Sequence, residues 1–520
     1  MRQPKEYDVL VIGGGITGAG VARDCALRGL GTLLVEKRDL TNGASGRNHG
    51  LLHSGARYAV TDRESAAECI RENMILRSIA SNCVEQTEGL FITLPEDDLG
   101  YQKTFVESCL SAGIRAEVID PKEALRMEPS ANPSLIGAVK VPDAAVDPFR
   151  LASANILDAV IHGAEVLSYH EVRSLVFEGG AVVGARLVSQ AGEETEVRAR
   201  ITVNAAGIWG ASVAAMAGAH IGMYPAKGSL LVFGHRVNKM VINRCRKPSN
   251  ADILVPGDVV CVIGTTSTKV PFEECDDMRV TSDEVKLLLE EGCRLAPSLA
   301  STRVIRAYAG VRPLVASDDD PTGRSISRGI VLLDHETRDG ISGFVSITGG
   351  KLTSFRMMAE VATDLVCSKL GVKERCRTSE LPLPGSEPHS RQPLSDSLGK
   401  KAAEGRHGAN VNKMDFADKS EVVCECEHVT RAEIEYAVKY LDVHNLVDLR
   451  RRTRIGMGTC QGSFCMGRVA EVLAEALGCP EKAPEFVRQY VRERWKGITP
   501  VCWGEGLREM EFMRRQYADK

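Results

Sequence analysis

The chain opens on an apolar run of strand length, VLVI at 9–12. It breaks at glycines, continues as the Ala-rich stretch GAGVARDCALRG, and returns to the apolar TLLVE, which ends at Glu36. This order predicts strand, turn, helix and strand, with Gly13, Gly15 and Gly18 in the spacing G-x-G-x-x-G. Gly13 permits a tight turn, Gly15 lets the backbone approach a pyrophosphate, and Gly18 allows close packing of helix on strand. The helix N-terminus then offers N–H groups to the phosphates, and Glu36 stands where an acid holds a ribose hydroxyl. The motif alone leaves NAD and FAD both open.

Further along, periodic apolar positions predict a helix over 62–88, short strands at GLFITL and GAVKV, and a helix over 147–166 with Asp147 as N-cap and Pro148 at its first position. SLVFEGGAVVGARLVS predicts a hairpin turned at Gly179 and Gly180, and RARITVNAAGIWG a strand running into a glycine turn. Residues 215–335 alternate strands with one strong helix, capped at Ser282. FVSITGGKLTSFRMMAEVATDLVCSKLG then gives a second strand, Gly-Gly turn and helix. The polar, Pro- and Gly-containing stretch 373–420 reads as a linker. The expected organisation is a body at 1–372, the linker, a small domain at 421–475 and a tail at 476–520, with Trp495 and Trp503 packing the tail on the body. The fold class is α/β with an interleaved β-rich, α+β portion.

Composition narrows the function class. A net charge of −4 and a pI near 6.3 give no reason to expect nucleic acid. The start enters the first strand without a signal-peptide pattern, and no apolar run reaches the roughly 18 residues of a membrane helix. Membrane association is therefore expected through a partner or a surface patch. Most of the 16 cysteines are scattered singly and read as reduced thiols; Cys424, Cys426, Cys460 and Cys465 are grouped.

The polar loop 39–60 carries Arg47, His49, His53, Arg57 and Tyr58, a concentration that marks an active-site segment. Two more glycine turns, V-N-A-A-G-I-W at 203–209 and I-T-G-G-K-L at 347–352, supply what a longer cofactor needs. With these, residues 8–370 resemble the glycine/D-amino-acid oxidase superfamily, which implies a Rossmann-like FAD-binding fold. The implied FAD contacts are Gly13, Gly14, Gly15, Thr17 and Gly18 in the first turn, and Glu36 and Lys37 after the second strand. Ser45 and His49 join them from the loop, Ala206 and Gly207 from the second turn, and Gly349, Gly350, Leu352 and Thr353 from the third.

Arg57, Lys227, Arg312, Arg328 and Lys351 form a set of cations larger than one carboxylate requires, which favours a phosphate dianion. H-S-G-A-R-Y, A-G-V-R-P-L and G-G-K-L-T-S-F-R, with Asp318–Asp320 following, resemble segments of FAD-dependent sn-glycerol-3-phosphate dehydrogenases. The resemblance implies that Arg57, Arg312, Arg328 and Lys351 bind substrate, with Tyr58 lining the pocket; Lys227 is expected beside them as a member of the cation set. Leu230 stands where aerobic members carry a histidine after K-G-S, so no base is available there. The chemistry asks for a base on the C2 hydroxyl, and His53 is the first choice, ahead of His49. Lys351 and Arg312 complete the catalytic set by stabilising negative charge.

V-C-E-C-E and G-M-G-T-C-Q-G-S-F-C place two thiolate pairs on glycine-containing loops, separated by a helical pair that opens on a Thr430/Glu433 capping box. Such thiols can hold zinc or an iron–sulfur cluster. The segment resembles the bacterioferritin-associated-ferredoxin-like [2Fe-2S] domain, with C-x4-C replacing C-x2-C in the second pair, as in fused flavoprotein dehydrogenase subunits. The RRRTR run at 450–454 reads as a solvated helix face.

Over its full length the chain resembles catalytic subunits of the anaerobic branch of the glycerol-3-phosphate dehydrogenase family. That implies oxidation of sn-glycerol 3-phosphate to dihydroxyacetone phosphate, with electrons leaving through subunits B and C to menaquinone at the cytoplasmic face of the inner membrane. FMN belongs to descriptions of such complexes, but no separate FMN motif is visible. Two alternatives stay open: an FAD/[2Fe-2S] amino-acid or opine dehydrogenase subunit, and a non-catalytic electron-transfer module.

Overall fold

Val9 to Ile12 are buried on both sides, as an apolar run in a covered parallel sheet must be. The structure is a computed structural model that describes residues 5–315, 329–387 and 397–518. The strand Lys5–Ile12 lies parallel to Thr32–Val35 on one side and to Glu194–Asn204 on the other, and the latter lies parallel to Phe344–Gly349. The register aligns Ile12 with Asn204 and Asn204 with Ser346. The three glycine turns therefore leave the carboxyl ends of adjacent strands side by side, where open α/β sheets bind ligands. Helices Ile16–Leu27, Pro148–Ile161 and Phe355–Leu370 cover one face over Val9, Val11 and Val203. The hairpin His170–Glu178/Ala181–Ser189, turned at Gly179 and Gly180 as expected, helps cover the other over Leu10 and Leu33.

A second, nine-stranded sheet carries the interleaved portion. Its strand Met223–Phe233 pairs antiparallel with Val304–Val315, Ala226 facing Arg312 and Gly228 facing Gly310. The helix Ser282–Leu295 backs this sheet. Its N-cap is Thr281 rather than Ser282: the Thr281 side chain accepts the Glu284 N–H and Glu284 closes a capping box. The helix expected over 62–88 ends at Ile79, and Val84–Glu85 pairs with Ala144–Val146.

The stretch expected to be a linker departs most from the expectation. Residues 388–396 lie outside the described residues, but Leu398–His407 is a helix, and Ala403, Val411 and Met414 join the core of the C-terminal domain. The helix has no apolar stripe because its anchor is ionic. Buried Arg406 and His407 both bind Glu433 Oε1, at 2.7 and 2.8 Å. Glu433 is thereby drawn away from the capping box, in which only the Thr430 side chain, accepting from the Glu433 N–H, takes part. The tail is anchored through the helix Ala483–Ile498, whose Phe486 and Tyr490 lie in the C-terminal core. Gly497 of the same helix meets the body; a Cβ there would stand 2.8 Å from Arg306 Cγ. Trp495 lies under the Arg514 guanidinium, whereas Trp503 is 65% exposed and packs nothing down. Among the described residues, no helix is long and apolar enough to cross a membrane.

Candidate active site and cluster site

The first turn is as tight as its glycines demand. Gly13 has φ +113°, and a Cβ there would lie 2.7 Å from Ala205 O in the second turn; one on Gly18 would strike Gly13 O. Ser45 Oγ accepts the Ile16 N–H at 2.9 Å, bringing the polar loop onto the start of the dinucleotide helix. Thr17 sits beside it, with its hydroxyl 3.9 Å from Met358 Sδ. Glu36 accepts N–H bonds from Gly14 (2.8 Å) and Arg38 (2.9 Å). Burial raises its pKa, against the pull of those two N–H groups.

Glu36, Lys37, Gly13, Gly15, Ala206 and Gly207 border a cavity of about 370 Å3, and Lys37 Nζ lies 4.4 Å over the Trp209 ring. An inner cavity of about 280 Å3 continues from it, sharing Thr17, Ser45 and Arg47. A long cavity along three glycine turns fits an extended dinucleotide; of the residues expected to contact FAD, Gly14, Gly18 and Thr353 line neither cavity, and the others do. Gly349 and Gly350 have φ of +77° and +63°, which glycine adopts without strain.

The inner cavity gathers His49, His53, Arg57, Tyr58, Arg312, Gly349, Gly350, Lys351 and Leu352. The His53 ring is 5.4 Å from the Tyr58 ring and 5.9 Å from that of His49. Lys351 Nζ sits 4.8 Å over Tyr58, an attraction between cation and ring face. The His53 N–H donates to Thr353 Oγ1 at 3.2 Å, tying the loop to the third turn. Arg57 donates to Asp252 Oδ2 and Ser249 O, both at 3.0 Å. Burial pushes the Asp252 carboxyl up, but Arg57 and Arg246 outweigh it and hold it below the usual range. The Arg312 guanidinium lies flat across Gly228, where a Cβ would stand 2.6 Å from Nη2. Ser267 Oγ (3.2 Å), Thr266 O (3.0 Å) and the Thr265 hydroxyl fix it there.

One expected substrate residue is not brought in. Lys227 is buried and turned away: its Nζ pairs with Glu284 Oε2 at 2.8 Å, and Ser229 binds the same carboxylate. Side chains alternate along a strand, so Gly228, which the Arg312 guanidinium covers, sends both its neighbours to the opposite face. Arg328 and Asp318–Asp320 lie outside the described residues. Asp252, Thr265 and Ser267 escaped the sequence reading because only the folding of the second sheet brings them to Arg57 and Arg312; no local pattern marks them.

In the C-terminal domain, Cys424 ends the strand Val422–Cys424, and Cys465 caps the helix Met466–Ala476. Cys424 Sγ and Cys426 Sγ are 3.8 Å apart, and Cys426 Sγ and Cys460 Sγ 3.6 Å. Backbone N–H groups of Glu427 and Gly456 address Cys424, and those of Gly462 and Phe464 address Cys460, the setting of sulfurs that carry negative charge. Gly458 leaves room for Cys426: a Cβ would lie 2.7 Å from its sulfur. Cys465 in turn hydrogen-bonds Cys424 and Cys460, so the four sulfurs face one another. Four thiols on two loops suit a two-iron cluster, which takes them in pairs. Tyr490 pins the second loop, its one hydroxyl proton shared between Gly456 O (3.1 Å) and Gln461 O (2.9 Å). The remaining cysteines are free thiols, as expected.

The RRRTR run is not a solvated face. Arg451 and Arg452 both bind Asp39, just beyond the second strand of the dinucleotide unit, and Arg454 binds Asp258 (2.7 Å) and Asp147 (3.3 Å). The run holds the cluster domain on the body.

A family model described as FAD dependent oxidoreductase matches residues 8–356, and one for BFD-like [2Fe-2S] binding domains matches 422–475. The chain is 57% identical to the A subunit of anaerobic glycerol-3-phosphate dehydrogenase from Haemophilus influenzae, over 98% of this chain and 92% of that one. It is 56% identical to the protein of the same name from Escherichia coli K12, over 99% and 97%. Among solved structures, glycerol-3-phosphate dehydrogenase from Bacillus halodurans, complexed with FAD, superposes with a TM-score of 0.71 at 24% identity, covering 96% of this chain and 97% of its own. Glycine oxidase from Geobacillus kaustophilus gives 0.59 at 22% identity, over 75% and 99%. The two structural likenesses speak to fold. From the family models and the near-full-length identity, the chain belongs to the family of anaerobic glycerol-3-phosphate dehydrogenase A subunits, FAD-dependent oxidoreductases that carry a [2Fe-2S]-binding domain.

Proposed function

We propose that this chain oxidises sn-glycerol 3-phosphate to dihydroxyacetone phosphate. Its electrons leave through the cluster domain to partner subunits B and C and on to menaquinone, with the chain held by those partners at the cytoplasmic face of the inner membrane. The observation that carries the reading is the meeting of Arg57, Arg312, Lys351 and His53 around one cavity that continues into the dinucleotide cavity. When bound, FAD supplies a two-electron acceptor and the [2Fe-2S] group a one-electron outlet. The protein's own groups do the rest.

Arg312, fixed by carbonyl and hydroxyl oxygens, presents a preset guanidinium to the phosphate, and Arg57 adds a second from the loop. Lys351, packed on Tyr58, offsets negative charge at the C2 oxygen as its proton departs. His53 takes that proton. His53 lines the inner cavity together with Lys351, and an imidazole is suited to general-base work. Leu230, fully buried in its strand, offers no rival base.

Dye-linked turnover tests the assignment. Glycerol 3-phosphate should be oxidised, and proline and opines should not. Arg312→Met should raise KM for glycerol 3-phosphate by about 100-fold, the loss of charged hydrogen bonds worth about 3 kcal/mol, with FAD content unchanged. Equal turnover of proline, or an unaltered KM, would contradict the reading.

A further inference from the structure

Between the FAD-binding body and the cluster domain lies a cavity of about 500 Å3, within the size range of small-molecule sites. It shares Arg47, Asn48 and His49 with the inner cavity but otherwise has its own walls. Its charges are mostly matched. Arg150 and Arg454 share Asp147 and Asp258, Arg451 binds Asp39, Arg306 binds Glu493, Lys496 binds Asp277, and Arg38 binds Asp276.

Two guanidiniums are left over. Among the described residues, neither Arg47 nor Arg450 makes an ion pair or a side-chain hydrogen bond, and Arg450 Nε is buried without an acceptor. They come from opposite sides, Arg47 from the polar loop of the body and Arg450 from the helix Leu446–Thr453 of the cluster domain. Both feel the same neighbours, Arg306, Arg451 and Glu493, and Glu493 is already engaged by Arg306 at 3.3 Å. Burial, then the nearby Arg306, pushes the Arg450 pKa down to about 9. Both side chains are half-buried, and Arg450 Nε is cut off from water; a cation held so without a close counter-ion is unfavourable, and an oxyanion between the two offsets this through paired N–H donors. Phe149, Val260 and Met457 leave an apolar wall for the remainder of a ligand.

We propose that this cavity binds a small organic anion bearing a phosphate or carboxylate, gripped by Arg47 from the body and Arg450 from the cluster domain. Such a ligand ties the two redox-carrying parts of the chain together. Nothing in the reaction assigned to the inner cavity requires it, so the two ideas stand or fall separately.

Calorimetric titration of the full-length holoprotein with inorganic phosphate and with succinate, at matched ionic strength, separates the two anion chemistries. One site for at least one probe should weaken tenfold or more in Arg450→Gln and stay unchanged in Arg57→Gln, which alters only the inner cavity. In chloride buffer without either probe, Arg450→Gln should unfold at no lower temperature than the wild type, because it removes a charge that has no partner. The proposal is overturned if neither probe binds, if Arg450→Gln binds both as the wild type does, or if that variant unfolds several degrees earlier in chloride, which would make Arg450 a structural cation.

Discussion

His53 carries the sharpest residue-level claim. It lines the inner cavity, and its backbone is tied to Thr353. His53→Asn should lower the rate of flavin reduction by about 10²- to 10⁴-fold, the usual span for loss of a general base, while FAD remains bound. Stopped-flow reduction at a near-normal rate would remove it from the role. Lys227 makes the opposite kind of claim. Lys227→Met leaves the part-buried Glu284 beside Ser229 without its cation, so it should cost about 2 kcal/mol in stability and leave KM for the substrate unchanged once folded; thermal denaturation and steady-state kinetics read the two separately. The basic character of Lys227 was visible in the sequence, but its direction was not. Alternation in K-G-S gives the direction only once the facing of Gly228 is known, and that depends on Arg312, 84 residues further along.

Among the elements, those closed by local interactions were legible. The dinucleotide unit and the 179–180 hairpin lie where periodicity places them, and the Asp147-capped helix starts where its cap does, though it ends at Ile161 and Glu165–Leu167 is a strand. The helix Leu398–His407 was not legible, because its tether is the long-range pairing of Arg406 and His407 with Glu433 rather than an apolar stripe. That tether has a pH signature. Burial would raise the Glu433 pKa, but Arg406 and His407 overcome it and hold the carboxyl at about 2, against an ordinary 4.5. A depressed carboxylate contributes its full stabilisation above its unfolded-state pKa and loses it as pH falls toward the folded value. About 3 kcal/mol should therefore disappear between roughly pH 5 and 2. Glu433→Gln should flatten that acid limb in denaturant titrations of the full chain. An acid limb identical to the wild type's would show that the tether contributes nothing.

At the scale of the whole molecule, two features join the parts. The register Ile12–Asn204–Ser346 lines up the three glycine turns, so segments far apart in sequence build one long cavity. The RRRTR run then seats the cluster domain on Asp39, Asp147 and Asp258 of the body. The first feature was readable in outline, since each turn carries its own glycines. The second was not: a run of arginines on an amphipathic helix looks the same whether it faces water or distant carboxylates.

The central claim is that this assembly takes electrons from glycerol 3-phosphate. Its most direct test is anaerobic addition of sn-glycerol 3-phosphate to the FAD-loaded, cluster-loaded chain, followed at the flavin band near about 450 nm. The band should bleach, and dihydroxyacetone phosphate should form in proportion to the flavin reduced. An unchanged flavin band with FAD demonstrably bound would contradict the claim.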